Sequence, residues 1–312
     1  MIDLPQKRVR LANGIELDVV DEGPHDSELA DAPVLIFLHG FPENHRTWRH
    51  QIKHFSESFR CVAPDQRGYM GSSKPEGLEN YTPDQMIGDV FLLADALGIA
   101  KFTIVGHDWG GAIAWGVAIG GQHMRVERLI IANAPHPVIF PKLLWTSHHQ
   151  RESSQYMRDF RDPVNDALVA EKGLGGLLDN VTNWQATGEM EPEEREALLK
   201  SWENREAAMA MLNWYRATPL EVPPMDAPFE LPEGFEPPQV PDLSIPTLVM
   251  WGMDDLALPP ENLDGMEDMI EELTLVKIPG AAHFIPWEAP KAVTSVMDDF
   301  VNSTLQTQPT LH

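Results

Sequence analysis

The chain has a single cysteine, Cys61, among 312 residues. An intramolecular disulfide is therefore excluded, and a reducing cytoplasm is the expected setting. Basic residues are also scarce, with 23 Lys and Arg against 48 Asp and Glu for a formal charge of -25. Such a field repels phosphate backbones and anionic bilayer surfaces, so nucleic acid and membrane are not expected partners. No apolar run nears the roughly 20 residues needed to span a bilayer. The first residues, Met1-Ile2-Asp3-Leu4-Pro5-Gln6-Lys7, lack a basic-then-apolar leader pattern, and a soluble, unprocessed protein is expected. The histidines contain no helix-spaced pair such as His-Glu-x-x-His; His45, His50 and His148-His149 offer no ligand geometry, so no metal is expected. Tyrosine is rare as well, at four residues.

What is present is a large apolar fraction, 43%, enough for a sizeable core. The runs 34–38, 60–63, 102–105, 129–132 and 247–251 are short, largely β-branched and without alternation, as in strands buried on both faces. Helical patterns lie between several of them, for example from Asp84 to Leu97 and from Gly111 to Ile119. This alternation predicts an α/β fold with a mostly parallel sheet and helices on both faces. Lys7 to Val20, with Asn13-Gly14 at its middle, reads as a hairpin joined to one sheet edge. From about 138 to 242 the strand signal vanishes and Trp, Met, Glu and Arg take over on helix-like patterns such as Glu194 to Ala217, followed by a proline-rich stretch from Pro219 to Pro246. The expected division is a core made of 1–137 and 243–312, with 138–242 an inserted helical cap.

The chemistry concentrates at strand ends. In Gly106-His107-Asp108-Trp109-Gly110-Gly111, one reactive residue stands in a Gly-x-Asp-x-Gly frame between a strand and a helix. The small neighbours permit a strained turn that thrusts the side chain out, close to a helix N-terminus that favours an anion. An isolated Asp before Gly would more often cap the helix. Three further motifs argue otherwise. His39-Gly40-Phe41-Pro42-Glu43 follows a strand where an oxyanion loop belongs, with Phe41 and Trp109 as the expected N–H donors; Trp251-Gly252-Met253-Asp254-Asp255 follows a later strand; and Gly280-Ala281-Ala282-His283-Phe284 lies in a late loop. Together they supply nucleophile, acid and histidine in that order. Asp255 is preferred over Asp254 for the acid by its register two residues beyond Gly252.

At these residues the sequence resembles the α/β-hydrolase superfamily, and within it the branch of epoxide hydrolases and haloalkane or haloacetate dehalogenases that use an aspartate nucleophile. Asp65-Gln66-Arg67-Gly68-Tyr69-Met70-Gly71-Ser72-Ser73 is similar to a scaffold loop common to that branch. The resemblance implies different leaving-group fittings for each member. Haloalkane dehalogenases have Asn where this chain has Phe41; haloacetate dehalogenases place arginines after the nucleophile, where this chain has Trp109 and Ala112, and a His-Trp pair in the cap, where it has Gln155-Tyr156. Epoxide hydrolases match better, because they set two cap tyrosines above the nucleophile, and Tyr156 and Tyr215 fall where those would be. The chemistry points the same way. An epoxide opens to an alkoxide, a poor leaving group that needs a proton, whereas a halide needs none.

The resulting expectation is hydrolysis of a small-molecule epoxide to a vicinal diol. Asp108 attacks carbon while Tyr156 and Tyr215 protonate the oxygen; His283, oriented by Asp255, then activates water against the alkyl-aspartate ester, with Phe41 and Trp109 holding the oxyanion. No cofactor is required. His39, Pro42, His107 and Trp109 are expected to line the substrate pocket, together with Phe140, Trp145 and Trp184 from the insertion. The alternatives are a dehalogenase on the same scaffold and a non-catalytic receptor or scaffold protein. A homodimer is left open.

Overall fold

Successive residues of each central run belong to different apolar layers, which is why the runs show no polar alternation. In Val34–Leu38 (β3), Leu35 and Phe37 pack into one layer and Ile36 and Leu38 into the other; in the strand around Ile130, Leu129 and Ile131 oppose Ile130 and Ala132 in the same way. Side chains of a strand point alternately to the two faces, and here both faces are covered.

The computed structural model describes residues 1–24, 32–181 and 190–306. Besides β3, the strands are Gln6–Arg10 (β1), Glu16–Glu22 (β2), Arg60–Pro64 (β4), Phe102–His107 (β5), Val126–Ala132 (β6), Thr247–Gly252 (β7) and Leu273–Ile278 (β8). They form one eight-stranded sheet in the order β1-β2-β4-β3-β5-β6-β7-β8. The hairpin β1–β2 and its junction with β4 are antiparallel, and every pair from β4 to β8 is parallel. The strand β8 has no counterpart among the runs read from the sequence. It is the sheet edge, and its half-exposed LTLVKI lacks the continuous burial that marks the central strands.

The core helices are Arg49–Phe55 (α1), Pro83–Ala96 (α2) and Trp109–Gly121 (α3), joined at the C-terminal end of the chain by Ile285–Glu288 and Pro290–Gln306. Val90, Leu93, Ile113 and Val117 from α2 and α3 cover one sheet face, and Ile52 and Phe55 from α1 meet Val293, Met297 and Phe300 on the other. The chain leaves β3 for β4 on one side and then returns to place β5 on the other side of β3. This reversal opens a crevice at the C-terminal ends of β3 and β5, the place where open α/β sheets hold their ligands.

Between β6 and β7 run Ile139–Thr146 (α4), His148–Ser153 (α5), Tyr156–Arg161 (α6), Asp166–Val181 (α7), Pro192–Ser201 (α8) and Arg205–Ala217 (α9); the two core helices near the C-terminus are α10 and α11. The Glu194 to Ala217 pattern is thus two helices, parted where Asn204 caps α9 through Ala207 N–H. The segment 218–246 has almost no regular structure, and its carbonyls are met by cap side chains instead. Arg151 donates to Ala227 and Pro228 at 2.7 and 2.8 Å and lies 3.8 Å from the Phe229 ring centre, while Gln155 and Arg158 reach the carbonyls of Pro223 and Val222. Proline removes N–H donors, so the remaining carbonyls need donors from elsewhere. The helices dock on the core through indole N–H groups, Trp202 to the Pro42 carbonyl and Trp214 to that of Arg67, and through the paired Arg46–Glu194 and Arg49–Glu191 contacts at 2.5 Å. Among the described residues, no helix is long and apolar enough to cross a membrane.

Candidate active site

Asp108 follows β5 with φ 51° and ψ -122°, a conformation that costs a non-glycine residue about 1–3 kcal/mol. The surroundings impose it. A Cβ at Gly110 would lie 2.4 Å from the carbonyl oxygens of both Leu38 and His39, so only glycine lets α3 start this close to β3. Although Asp108 sits at the helix N-cap position, its carboxylate does not cap the helix. Oδ1 instead accepts the Phe41 N–H at 2.6 Å, and Oδ2 lies 3.4 Å from His283 Nε2. The N–H of Trp109, first residue of α3, has no intrahelical acceptor and is free to join Phe41 in holding an oxyanion.

His283 Nδ1 meets Asp255 Oδ2 at 2.7 Å. Asp255 is buried, whereas Asp254 is exposed and donates its backbone N–H to the Ala281 carbonyl. Asp255 is fixed in turn: Oδ1 accepts the N–H groups of Ala257 and Leu258, and Oδ2 accepts Asn133 Nδ2 at 2.6 Å. Asn133, at φ 41° just past β6, also accepts the Gly252 N–H and so ties the ends of β6 and β7 together. It escaped the sequence reading; its place at a strand end was the only signal.

The electrostatics separate the roles. Burial acts to raise the Asp108 pKa, but the hydrogen bond and charge of His283, with His107 and the Phe41 N–H, outweigh it and hold the carboxyl below its ordinary range. Burial acts to lower His283, yet Asp255 and Asp108 overcome it and hold the ring well above the usual histidine value. Tyr156 and Tyr215 are both pushed up, by burial first and then by the Asp108 charge with their neighbours, so they stay protonated donors near neutral pH. Their rings meet at 6.2 Å between centroids, and Tyr215 stands edge-on to Trp109 and Phe41 at 5.1 and 5.0 Å.

A cavity of about 640 Å³ opens above this group, lined by Asp108, Trp109, Tyr156, Tyr215, Phe140 and Trp145 among others, and closed in part by residues 218–221 and 232–236. Trp184 lies outside the described residues. Three residues expected in the pocket are not there. His39 is fully buried, its Nε2 taking the Gln66 N–H; Pro42 is buried with its carbonyl spent on Trp202; and His107 lies behind the nucleophile. His107 is the last residue of β5 and points into the sheet, whereas Asp108 and Trp109 beyond the strained turn face the cavity.

His107 has a different task. Its Nδ1 faces Glu43 Oε2 at 2.7 Å and its Nε2 faces the His283 carbonyl at 2.9 Å. Glu43 also receives the Gly40 N–H and the Trp287 indole N–H. Burial acts to raise Glu43, but His107 and Trp287 keep it below the usual carboxylate range. The pair anchors the backbone of the His283 loop.

A parallel sheet with a switch point between β3 and β5, an aspartate on a strained turn at that point, and an Asp–His pair from later strand ends together define the α/β-hydrolase fold. Residues 33–290 match the model of the α/β-hydrolase fold family, and the chain belongs to it. It is 31% identical over 278 residues to epoxide hydrolase 3 of Xenopus tropicalis, an alignment covering 86% of this chain and 71% of that one. Two solved structures are similar: one among novel epoxide hydrolases from metagenomes of hot environments, 66% identical with TM-score 0.92 over 96% of this chain and 99% of that chain, and a mutant epoxide hydrolase of Bacillus megaterium complexed with its diol product, 32% identical with TM-score 0.81 over 95% and 100%. Within the family the chain falls in the epoxide hydrolase branch.

Proposed function

We propose that this protein hydrolyses epoxides to vicinal diols through an ester on Asp108, with 138–242 serving as the cap that supplies the acid. The observation that carries the reading is the facing of Asp108 by two phenols, Tyr156 and Tyr215, across one cavity. Asp108 attacks an epoxide carbon from behind; the C–O bond breaks towards oxygen, which takes a phenolic proton. His283, held by Asp255, then takes a proton from water as the hydroxide adds to the ester carbonyl, and the N–H groups of Phe41 and Trp109 hold the oxyanion; when the acyl C–O bond breaks, the departing alkoxide takes that proton from His283 and leaves as the diol, while the proton of the restored Asp108 carboxyl returns to the phenolate. The buried Cys61 supports a cytoplasmic setting.

A small panel tests the substrate class. Because the Bacillus relative holds a naphthyloxy-propanediol as its product, an aryl glycidyl ether belongs in the panel beside styrene oxide, chloroacetate and a chloroalkane. Wild type is expected to open the epoxides and release no chloride. Tyr215→Phe should lose about 10- to 100-fold in epoxide turnover. Chloride release without epoxide turnover would make the protein a dehalogenase instead.

The charges also predict how the two half-reactions divide with pH. Alkylation needs Asp108 ionised and the phenols protonated, and the lowered carboxyl and raised phenols make it flat across the neutral range. Ester hydrolysis needs neutral His283. Two carboxylates hold that ring protonated in the free enzyme, and esterification removes the charge of one of them, so the histidine pKa falls once the intermediate forms. Stopped-flow tryptophan fluorescence should therefore show a pH-independent first phase and a second phase that rises with pH. The midpoint of the second phase should lie below the His283 titration seen by NMR in the free enzyme; coincident midpoints would refute this account.

A further inference from the structure

We propose that Arg161 is a positioning residue for the two-phenol acid: its guanidinium fixes Tyr215 through the backbone and sets a positive charge behind the hydroxyls, where it steadies the phenolate left when one of them gives its proton to the substrate oxygen. The inference rests on the epoxide reading above and adds a residue to it.

Arg161 ends α6, the helix that Tyr156 begins, and its Nε–H donates to the Tyr215 carbonyl on α9 at 2.9 Å. One of its terminal nitrogens is buried and has no acceptor among the described residues. That is unusual in a chain with 48 acidic and 23 basic residues. Arg216, which donates to the Phe160 carbonyl next to Arg161, is paired with Asp166 at 2.5 Å, and Arg158 donates to the Val222 carbonyl. An unpaired buried cationic donor costs free energy, and such a group calls for a partner that forms at another stage.

The surroundings name that partner. The titratable groups that act on Arg161 are Tyr215 and Tyr156, which favour its charge, and Arg158, which opposes it. On Tyr156, Asp108 at the turn after β5 and Asp255 after β7 work against a negative charge, while a hydrogen bond with Tyr215 and the Arg161 charge work for it; on Tyr215, Tyr156, Asp108 and Tyr69 work against it and a hydrogen bond with Trp109 works for it. As the epoxide C–O bond breaks, its electron pair goes to oxygen, the phenol O–H breaks, and the proton passes to that oxygen. A phenolate then stands in a cavity already holding acidic neighbours, and Arg161 is the half-buried cation that acts on it. Arginine suits the place because it stays charged when buried and its Nε–H can hold a carbonyl while another N–H is left free.

The test compares Arg161→Gln, Arg161→Met and Arg161→Lys with wild type, following single-turnover alkylation and ester hydrolysis against pH and titrating phenolate by absorbance at 295 nm, with Tyr215→Phe to assign the signal. The neutral variants should alkylate about tenfold more slowly, hydrolyse the ester at the wild-type rate, and show the phenolate titration displaced to higher pH, while lysine restores most of the alkylation rate. Should one neutral variant not fold, the other carries the comparison. Equal losses in the glutamine and lysine variants with an unmoved phenolate titration would reduce Arg161 to a scaffold role, and unchanged alkylation in glutamine would overturn the proposal. Wild type lacking epoxide turnover in the same assay would instead sink the epoxide reading itself.

Discussion

Asp108→Ala is expected to abolish turnover, with kcat on an epoxide lower by on the order of 10⁴-fold or more, because no neighbouring group can take over the attack. Phe41 N–H and His283 both aim at this carboxylate, and the strained backbone at φ 51° exists to present it. The fold should survive the change. The companion measurement distinguishes nucleophile from base. In a single turnover in heavy-oxygen water, wild type should carry the label in Asp108 and not in the diol, since water attacks the ester carbonyl rather than the epoxide. Label in the first diol formed would rule out the ester and make Asp108 a general base.

His283→Gln is expected to stop the reaction halfway. Asp108 needs no base to attack an sp3 carbon, so alkylation should persist, while hydrolysis slows by roughly 10³-fold as general-base help is lost. The result would be a burst of one equivalent of epoxide consumed per protein and a peptide containing Asp108 heavier by the mass of the substrate. A variant that is equally dead in both steps, with no adduct, would mean that His283 serves the first step as well. The 3.4 Å between His283 Nε2 and Asp108 Oδ2 leaves the ring able to reach a water beside the ester carbonyl once the carboxylate is esterified.

The buried Glu43–His107 pair shows where sequence reasoning reached its limit. Both residues stood in motifs already singled out, Glu43 at the end of His39-Gly40-Phe41-Pro42-Glu43 and His107 next to the nucleophile. Proximity in sequence made His107 a pocket residue, but the turn that lifts Asp108 outward sends His107 inward, against partners 64 and 176 residues away. Trp287 closes the same network from 244 residues away. The exposed edge strand β8 went unread for a related reason: a half-wet strand has neither the continuous apolar run of a central strand nor a clean alternation.

The sequence by itself determined the architecture and named the candidate reacting groups. Doubly buried strands need continuous apolar runs, a raised nucleophile needs glycines where Gly106 and Gly110 stand, and the order Asp108, Asp255, His283 follows from three strand-end motifs. Tyr156 and Tyr215 could be named from the resemblance, but only the packing of α6 against α9 could bring both into the cavity over Asp108. The tertiary structure alone decided which neighbours of the reacting groups face substrate and which stand behind them. Asn133 under Asp255, His107 under His283 and Arg161 behind the phenols all act across long sequence separations, and a local pattern carries no information about which distant residue folding will place beside it.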